Sequence, residues 1–379
     1  MPELPRRTTI RAAVIDRPGV PVRIETLELD PPGPGEIRVR MAAAGVCHSD
    51  LHVRDGDWER EGPIVLGHEG SAVVEALGEG VAATYPELRP GVLVALAWLI
   101  PCGRCRACRG GRVWSCSDSP SYTHRMPSGH AATHRPDGGG EVLTYCAIGT
   151  FADRQNVPAA AAIPVPDGTP PEVAALIGCC VTTGVGAVTK TADVQAGSSV
   201  VVIGLGGVGL SCVMGAAIAG AGRIVAVDRV AAKLDLARAV GATDAILAGA
   251  DAAGTLVAIR DATDGGPDTC FEAIGLPATI EMAIACLPTG GTAVLVGMTP
   301  FGVRASFEPF PFVDGGRRIL GSNYGSADPV VDFPRYAALH LAGRLPADRL
   351  VTSRIGLDGI EDAFAAMRRG EGVRAMVAF

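Results

Sequence analysis

The chain has 379 residues, enough for two domains with separate cores, and its 48% hydrophobic and 19% charged residues are typical of a globular protein. Its formal net charge of −7 argues against a general nucleic-acid-binding protein. We expect no membrane span, because no run of 18 residues is uninterruptedly apolar, and no secretory signal, because residues 1–11 contain no apolar segment.

The first 41 residues predict a β-rich, barrel-like lobe. Three short apolar-alternating segments, 10–15, 22–27 and 36–41, are separated by turns rich in proline and glycine. Several short strands separated by such turns are typical of β-barrels and β-sandwiches.

Cysteine spacing predicts a structural zinc site. The pattern C-x2-C-x2-C-x7-C places Cys102, Cys105, Cys108 and Cys116 within one short segment. Four thiolates suit tetrahedral zinc, and a closed shell of four leaves no position for a substrate. The eleven cysteines are an odd number in a chain for which we expect no export, so they indicate metal binding in the cytoplasm rather than disulfides.

Two short motifs predict a second, catalytic metal site. Gly45-Val-Cys47-His48-Ser49-Asp50 is followed by His52, and Gly67-His68-Glu69 comes soon after. Cys47 and His68 are the candidate ligands.

Residues 117–140 are polar and irregular, which predicts a loop without helix or strand. Its three histidines and two arginines either contact a polar or anionic part of a substrate or face solvent.

The second half of the chain predicts a dinucleotide-binding unit. The apolar strand 199–203 leads into the glycine turn Gly204-x-Gly206-x-x-Gly209 and then a helix, which is the context in which this motif is specific. The next strand, 223–228, ends in Asp228, whose carboxylate would accept from the ribose hydroxyls and repel a 2′-phosphate. Further α/β elements follow at 269–274, 277–286 and 292–297.

Together these motifs resemble the zinc-dependent medium-chain alcohol dehydrogenases over essentially the whole chain. The resemblance implies an α/β fold, with a Rossmann domain built on a doubly wound parallel sheet and a β-rich GroES-like catalytic domain. We expect residues 1–180 and 324–379 to form the catalytic domain and residues 181–323 to form the dinucleotide-binding domain.

The resemblance also implies roles for residues of the catalytic domain. Two zinc ions per chain are expected, one structural and one catalytic. The expected ligands of the catalytic zinc are Cys47, His68 and Cys179, with Glu69 close to the ion. Ser49 and His52 match a proton relay, Asp50 matches the carboxylate that orients His68, and Trp58 and Trp98 match the substrate pocket. Cys180 replaces a glycine of the family, so it is an alternative ligand, a reactive thiol or a packing residue.

NAD is the expected cofactor. The positions that match the family's cofactor-binding residues are His48, Thr183, Gly204, Gly206, Gly207, Val208, Gly209, Asp228, Arg229, Lys233, Val296 and Arg374. Arg229 directly follows Asp228, so it could weaken the preference for NAD over NADP.

The predicted function is interconversion of a primary alcohol, aromatic or short-chain, and its aldehyde by hydride transfer to NAD. Segments 98–126 and 332–357 also resemble mycothiol-dependent formaldehyde dehydrogenases, so S-(hydroxymethyl)mycothiol is an alternative substrate. A non-catalytic NAD(H)-sensing protein is a more remote alternative, because a sensor needs neither zinc nor a proton relay. The expected partners are a small-molecule substrate and a second copy of the chain in a homodimer, with a homotetramer of four copies as the alternative.

Overall fold

A computed structural model describes residues 7–249 and 251–379. Residues 1–6, part of the segment on which the signal prediction depends, lie outside the described residues. The chain forms two compact units. The first ends at Cys179 and also contains Asp328–Leu341 and Val351–Phe379, and the second contains Cys180–Ala327 and Ala342–Leu350. The expected domain ranges differ from these units at residues 180, 324–327 and 342–350.

The strands, in chain order, are β1 Thr8–Ile15, β2 Arg23–Leu29, β3 Glu36–Gly45, β4 Ile64–Val65, β5 Glu69–Leu77, β6 Leu93–Leu96, β7 Thr133–His134, β8 Glu141–Thr144, β9 Arg154–Pro158, β10 Ala162–Pro164, β11 Ser199–Ile203, β12 Arg223–Asp228, β13 Asp244–Leu247, β14 Thr269–Glu272, β15 Thr292–Leu295, β16 Arg318–Gly321, β17 Val351–Ile355 and β18 Arg374–Ala378. The α-helices are α1 His48–Asp55, α2 Val81–Thr84, α3 Arg106–Arg109, α4 Pro171–Leu176, α5 Thr182–Gly186, α6 Gly207–Ala219, α7 Ala231–Ala239, α8 Ala252–Ala262, α9 Pro277–Ala285, α10 Phe310–Gly315, α11 Pro329–Leu341 and α12 Ile360–Arg368.

The first unit contains the predicted β-rich lobe. A closed barrel has the strand order β1-β2-β7-β8-β4, and a second sheet has the order β10-β6-β5-β3-β18-β17, with β9 also paired to β3. Successive side chains of β1 point to opposite faces of the strand, so this strand contributes to two apolar cores. Ile10, Ala12 and Val14 lie in one apolar cluster, whereas Ala13 and Ile15 lie in another.

The prediction that residues 117–140 form neither helix nor strand is wrong. This segment contains the two-residue strand β7, which pairs with β2 and β8 and completes the barrel. It also contains short 3₁₀ turns at Pro120–Tyr122 and Pro136–Gly138. A strand of two residues is too short to show a period-two pattern, so the sequence does not reveal it.

The second unit is a six-stranded parallel sheet with the order β13-β12-β11-β14-β15-β16. This order reverses direction at β11, which places a crevice at the carboxyl ends of β11 and β14. The glycine turn follows β11 and leads into α6. Gly204 has a φ of 92°, and a Cβ at Gly209 would collide with the carbonyl of Gly204, so both positions require glycine.

One helical segment, Pro171–Thr191, is long and apolar enough to cross a membrane by length and composition. However, 83% of its most apolar window is buried inside the structure. Length and composition are weak evidence here, because the buried core helix of a soluble protein passes the same test.

Candidate active site and metal centres

Three predicted ligands come together in the first unit. Cys47 immediately precedes α1, His68 immediately precedes β5, and Cys179 lies in a π-helical turn that follows α4. Their ligand atoms all lie within 4.8 Å of one another, and Cys179 Sγ is 3.4 Å from His68 Nε2. All three side chains are buried. Two thiols and one imidazole are a suitable donor set for zinc, and three protein ligands leave one position for a substrate.

A buried carboxylate holds this cluster in place. Asp50 Oδ1 accepts hydrogen bonds from Gly67 N–H at 3.1 Å and from His68 Nδ1 at 3.0 Å. Asp50 Oδ2 accepts from Cys47 N–H at 3.3 Å, so the same side chain also caps α1. Because His68 donates through Nδ1, its Nε2 is free to bind a metal. Asp50 therefore lies where the resemblance places the orienting carboxylate.

The surroundings of Cys47 favour its thiolate form. Hydrogen bonding with the Cys179 thiol lowers the pKa of Cys47 well below its ordinary value, and the charges of Arg374 and His68 lower it further, although burial opposes the shift. Burial alone would lower the pKa of His68, but the Asp50 carboxylate and Cys47 raise it well above its ordinary value. The cluster thus stabilises a thiolate, which is the form of cysteine that binds metal.

The predicted relay residues lie on α1, beside Cys47. Ser49 is half-buried and His48 is exposed. The imidazole of His52, one turn further along, has its ring centroid 5.0 Å from that of His48. His52 Nδ1 is 2.6 Å from Asp57 Oδ2, and Trp58 stacks on the His52 ring at 4.6 Å.

Aromatic rings flank the metal cluster. Trp98 and Tyr145 both meet the His68 ring edge-on, with centroids 6.5 and 5.5 Å away. Of the two predicted pocket tryptophans, Trp58 is a buried core residue that stacks on His52, whereas Trp98 has a ring contact with His68. Sequence reasoning missed Tyr145, because nothing in its local sequence marks it as close to a histidine 77 positions earlier.

His124 is a second residue that sequence reasoning did not single out. It packs against Tyr145 with ring centroids 5.4 Å apart, and its Nδ1 accepts from Cys146 N–H at 3.2 Å. Burial, together with the positive charge of Arg60, lowers the pKa of His124 to about 4. This imidazole is therefore neutral at physiological pH and supports the Tyr145 ring as a packing group.

The four cysteines of the predicted structural site also come together, with all four sulfur atoms within 4.8 Å of one another. Backbone N–H groups point at the sulfurs: Cys105 N–H lies 3.3 Å from Cys102 Sγ, and Cys108 N–H lies 3.4 Å from Cys105 Sγ. The latter contact lowers the pKa of Cys105 to about 6. This segment is folded around the sulfurs, as a structural metal site requires.

The predicted cofactor residues of the second unit lie around the glycine turn. Asp228 Oδ2 accepts from Leu205 N–H at 2.8 Å, and its Oδ1 accepts from Val230 N–H at 2.9 Å. The end of β12 is thus tied to the turn. A Cβ added at Gly206 would meet no atom within 4 Å, so the backbone at the start of α6 is open to a phosphate.

The remaining predicted residues of this unit are placed as follows: Gly207 and Val208 lie in the first turn of α6, Arg229 is exposed after β12, Lys233 lies on α7, Thr183 lies on α5, and Val296 follows β15.

Comparison with known proteins identifies the family. Residues 33–167 match the alcohol dehydrogenase GroES-like domain, and residues 207–342 match the zinc-binding dehydrogenase domain. The NDMA-dependent alcohol dehydrogenase of Amycolatopsis methanolica is 36% identical over 97% of this chain and 98% of its own. The chain belongs to the zinc-dependent medium-chain alcohol dehydrogenases. It is therefore an oxidoreductase that acts on small molecules.

Two further relatives of this dehydrogenase are similar over nearly their full lengths. The Schizosaccharomyces pombe protein named "Probable S-(hydroxymethyl)glutathione dehydrogenase 1" is 34% identical, with 97% of each chain covered. The crystal structure of benzyl alcohol dehydrogenase from Acinetobacter calcoaceticus has a TM-score of 0.90 and 31% identity, and 98% of this chain and 99% of that chain are covered. The fold predicted from sequence is confirmed.

Two predicted site residues of the dehydrogenase contact each other. Arg374 is buried, with its Nε 3.2 Å from Glu69 Oε1 and its Nη1 donating to the carbonyl of Val46 at 2.9 Å. Glu69 lies outside the Cys47–His68–Cys179 cluster. The contact of Arg374 with a cofactor phosphate and the approach of Glu69 to zinc stay predictions.

Charged side chains of segment 117–140 pair with carboxylates elsewhere in the dehydrogenase. His134 Nε2 is 2.7 Å from Asp30 Oδ2, Arg125 pairs with Glu141 at 2.8 Å, and Arg135 binds Glu25 at 2.8 Å. These contacts favour a structural role of the segment in the barrel.

Cys180 is fully buried, which favours packing over a reactive thiol.

Proposed function

We propose that this protein is an NAD-dependent dehydrogenase that interconverts a primary alcohol and its aldehyde. The observation that carries the proposal is the buried Cys47–His68–Cys179 cluster, which has the donor set of a catalytic zinc site. Its member Cys47 lies two residues before Ser49 in the chain. A second zinc ion would be held by the four-cysteine site, whose sulfurs converge in the same manner.

When bound, a zinc ion with three protein ligands and one open position supplies a Lewis acid that favours ionisation of an alcohol. The chain's own residues then have distinct tasks. Asp50 keeps His68 in the tautomer that leaves Nε2 for the metal. The Ser49 hydroxyl accepts the proton of the alcohol and donates its own towards His52, because a hydroxyl both accepts and donates.

NAD supplies a hydride acceptor when bound, and the second unit provides the residues to hold it. Its phosphates would lie on the open backbone at the start of α6. Asp228 lies at the end of β12, where its carboxylate oxygens would accept from ribose hydroxyls and repel the 2′-phosphate of NADP. Lys233 and Arg229 are near Asp228 in the chain and would contact the same ribose. Thr183 and Val296 would contact the nicotinamide.

The aromatic surroundings of His68 support a flat, aromatic alcohol as substrate. Trp98 and Tyr145 present their rings within 6.5 Å of the His68 ring. Aromatic rings of this kind can contact a planar substrate over a large apolar area. The similarity to benzyl alcohol dehydrogenase agrees with this choice.

Oxidation of a thiol adduct of formaldehyde is the second candidate. It is supported by the similarity to S-(hydroxymethyl)glutathione dehydrogenase 1 and by the sequence segments 98–126 and 332–357. The pairing of His134, Arg125 and Arg135 with carboxylates of the protein weighs against binding of a charged thiol by segment 117–140.

Reduction of NAD by zinc-loaded protein, followed at the absorbance of NADH, tests both candidates. The substrates are benzyl alcohol, ethanol, formaldehyde alone, and formaldehyde with mycothiol or glutathione. We expect the highest kcat/KM with benzyl alcohol and no effect of either thiol. Formaldehyde oxidation that strictly requires mycothiol would replace the first candidate by the second.

We also propose that the protein is a homodimer that pairs through the second unit. Strand β16 is an edge strand of its sheet. Apolar side chains nearby in the chain are largely exposed: Met298, Phe301, Phe310 and Val313. An apolar surface beside an open sheet edge is typical of an interface. Light scattering should give the mass of two chains for the wild type and of one chain for Val313→Asp; a tetramer would show a further interface.

A further inference from the structure

The turn that ends α1 brings a carboxylate back onto the relay histidine. Gly56 adopts a φ of 89°, which ends the helix. The backbone N–H groups of Gly56, Asp57 and Trp58 then all point at the carbonyl of His52, at 3.1, 2.9 and 3.4 Å. This tight turn places the side chains of Asp57 and Trp58 against the His52 ring.

Both contacts restrict the imidazole of His52. Asp57 Oδ2 lies 2.6 Å from His52 Nδ1, and the Trp58 ring stacks on the imidazole with an interplanar angle of 28°. An ionised carboxylate only accepts hydrogen bonds, so Nδ1 must carry the hydrogen. The lone pair of the neutral ring is therefore on Nε2, and the stacking fixes the direction in which Nε2 points.

Other charged groups near this turn are paired with one another. His48 is the neighbouring titratable ring, 5.0 Å away on the same helix. Arg54 and Asp55 at the end of α1 pair with Glu361 and Arg368 of α12, respectively. Those two pairs bind α1 to α12 and leave Asp57 to act on His52.

We propose that Asp57 is a positioning residue for the proton relay: it holds His52 in the Nδ1–H tautomer, so that Nε2 receives the proton released by the alcohol. The proposal rests on the proposed role of His52 in that relay. The proton passes from the alcohol hydroxyl to Ser49, whose own proton goes to His52 Nε2. Asp57 stays ionised and stabilises the imidazolium, which then releases the proton from Nε2 to water.

The exposure of the two side chains suits this task. The His52 side chain is 13% exposed and that of Asp57 is 40% exposed. The carboxylate thus remains in contact with solvent while the ring is largely shielded. Asp57 can therefore be replaced without opening the core of the first unit.

Asp57→Asn and Asp57→Glu test the proposal in zinc-loaded protein, with Asp55→Asn as a matched control. The first readout is the tautomer of His52, taken from the ¹⁵N chemical shifts of the two ring nitrogens, with the resonance assigned by its loss in His52→Gln. The second readout is kcat for benzyl alcohol. The melting temperature shows that each variant is folded.

We expect the wild-type ring to be the Nδ1–H tautomer and Asp57→Asn to populate the Nε2–H tautomer, because an amide N–H can donate to Nδ1. The kcat of Asp57→Asn should fall roughly 10-fold or more, since a positioned acid–base group contributes about 100-fold or more. Asp57→Glu should restore the tautomer and most of the activity, and Asp55→Asn should change neither. In the His52→Gln background, Asp57→Asn should have no further effect on kcat.

Two results would overturn the proposal. One is an Asp57→Asn variant that keeps both the wild-type tautomer and the wild-type kcat. The other is a changed tautomer together with a His52→Gln variant of undiminished kcat, which would remove His52 from the relay while leaving the dehydrogenase activity in place. Absence of NAD reduction in the wild type, by contrast, would refute the proposed function but not the tautomer assignment.

Discussion

The replacement Asp50→Asn tests how the catalytic metal site is built. Asp50 offers two oxygens to three buried donors, the N–H groups of Cys47 and Gly67 and the Nδ1–H of His68. Asparagine keeps one oxygen, which can still accept from Gly67 and His68. Its NH₂ group would then face the N–H of Cys47, donor against donor. One buried N–H loses its partner, which costs about 1–3 kcal/mol of folding stability.

Metal affinity should fall as well. The bond from His68 to a carboxylate becomes a weaker bond to a neutral amide, so the imidazole is a poorer ligand and is held less firmly. Loss of such a supporting group typically lowers metal affinity about 10–100-fold. That range corresponds to about 1.4–2.8 kcal/mol of binding free energy.

Competition with a chromophoric chelator measures zinc affinity, and equilibrium unfolding of the zinc-free protein measures stability. Cys47→Ser identifies which of the two zinc transitions belongs to the catalytic site. Asp55→Asn is the control, because Asp55 lies on the same helix but pairs with Arg54 and Arg368 at the surface. If Asp50→Asn lost stability but bound zinc as tightly as the wild type, Asp50 would only cap α1. If neither quantity changed, the account of the site would be wrong.

Three further replacements test separate parts of the account. Ser49→Ala should lower kcat for benzyl alcohol about 100-fold or more at neutral pH, because it removes the hydroxyl of the relay; near-normal turnover would remove Ser49 from the mechanism. Asp228→Ala should lower the ratio of kcat/KM for NAD to that for NADP about 10-fold or more by removing the carboxylate proposed to face the ribose 2′ position; an unchanged ratio would refute this assignment. Cys108→Ser should reduce the zinc content measured by mass spectrometry from two ions to one and make segment 102–116 susceptible to protease; retention of both ions would contradict the structural site.

Local patterns are what the sequence reveals best. Strands β11 and β12 lie where the apolar runs 199–203 and 223–228 predict them, because a buried parallel strand is apolar throughout. The four-cysteine site is equally local, since its ligands come from one short segment. The Cys47–His68–Cys179 cluster is different: Cys179 lies 111 positions after His68, and only the resemblance to a family links them.

Contacts that depend on the geometry of a turn, or on packing between segments far apart in the chain, are not predicted by sequence patterns. The contact between Asp57 and His52 needs the left-handed conformation of Gly56, and the sequence shows only that a glycine is present. The pairing of Glu69 with Arg374 joins the start of β5 to β18. Strand β7 is defined by its hydrogen-bonded pairing with β2 and β8. Its two residues are too few to show an alternating sequence pattern.

Transfer of deuterium from substrate to cofactor tests the central claim most directly. Zinc-loaded protein is incubated with NAD and benzyl alcohol deuterated at the carbinol carbon, and the NADH formed is examined by mass spectrometry and NMR. The account predicts one deuterium per NADH, at carbon 4 of the nicotinamide, and no transfer in Cys47→Ser. NADH without deuterium, or oxidation of the alcohol without reduction of NAD, would contradict direct hydride transfer between an alcohol and NAD in this protein.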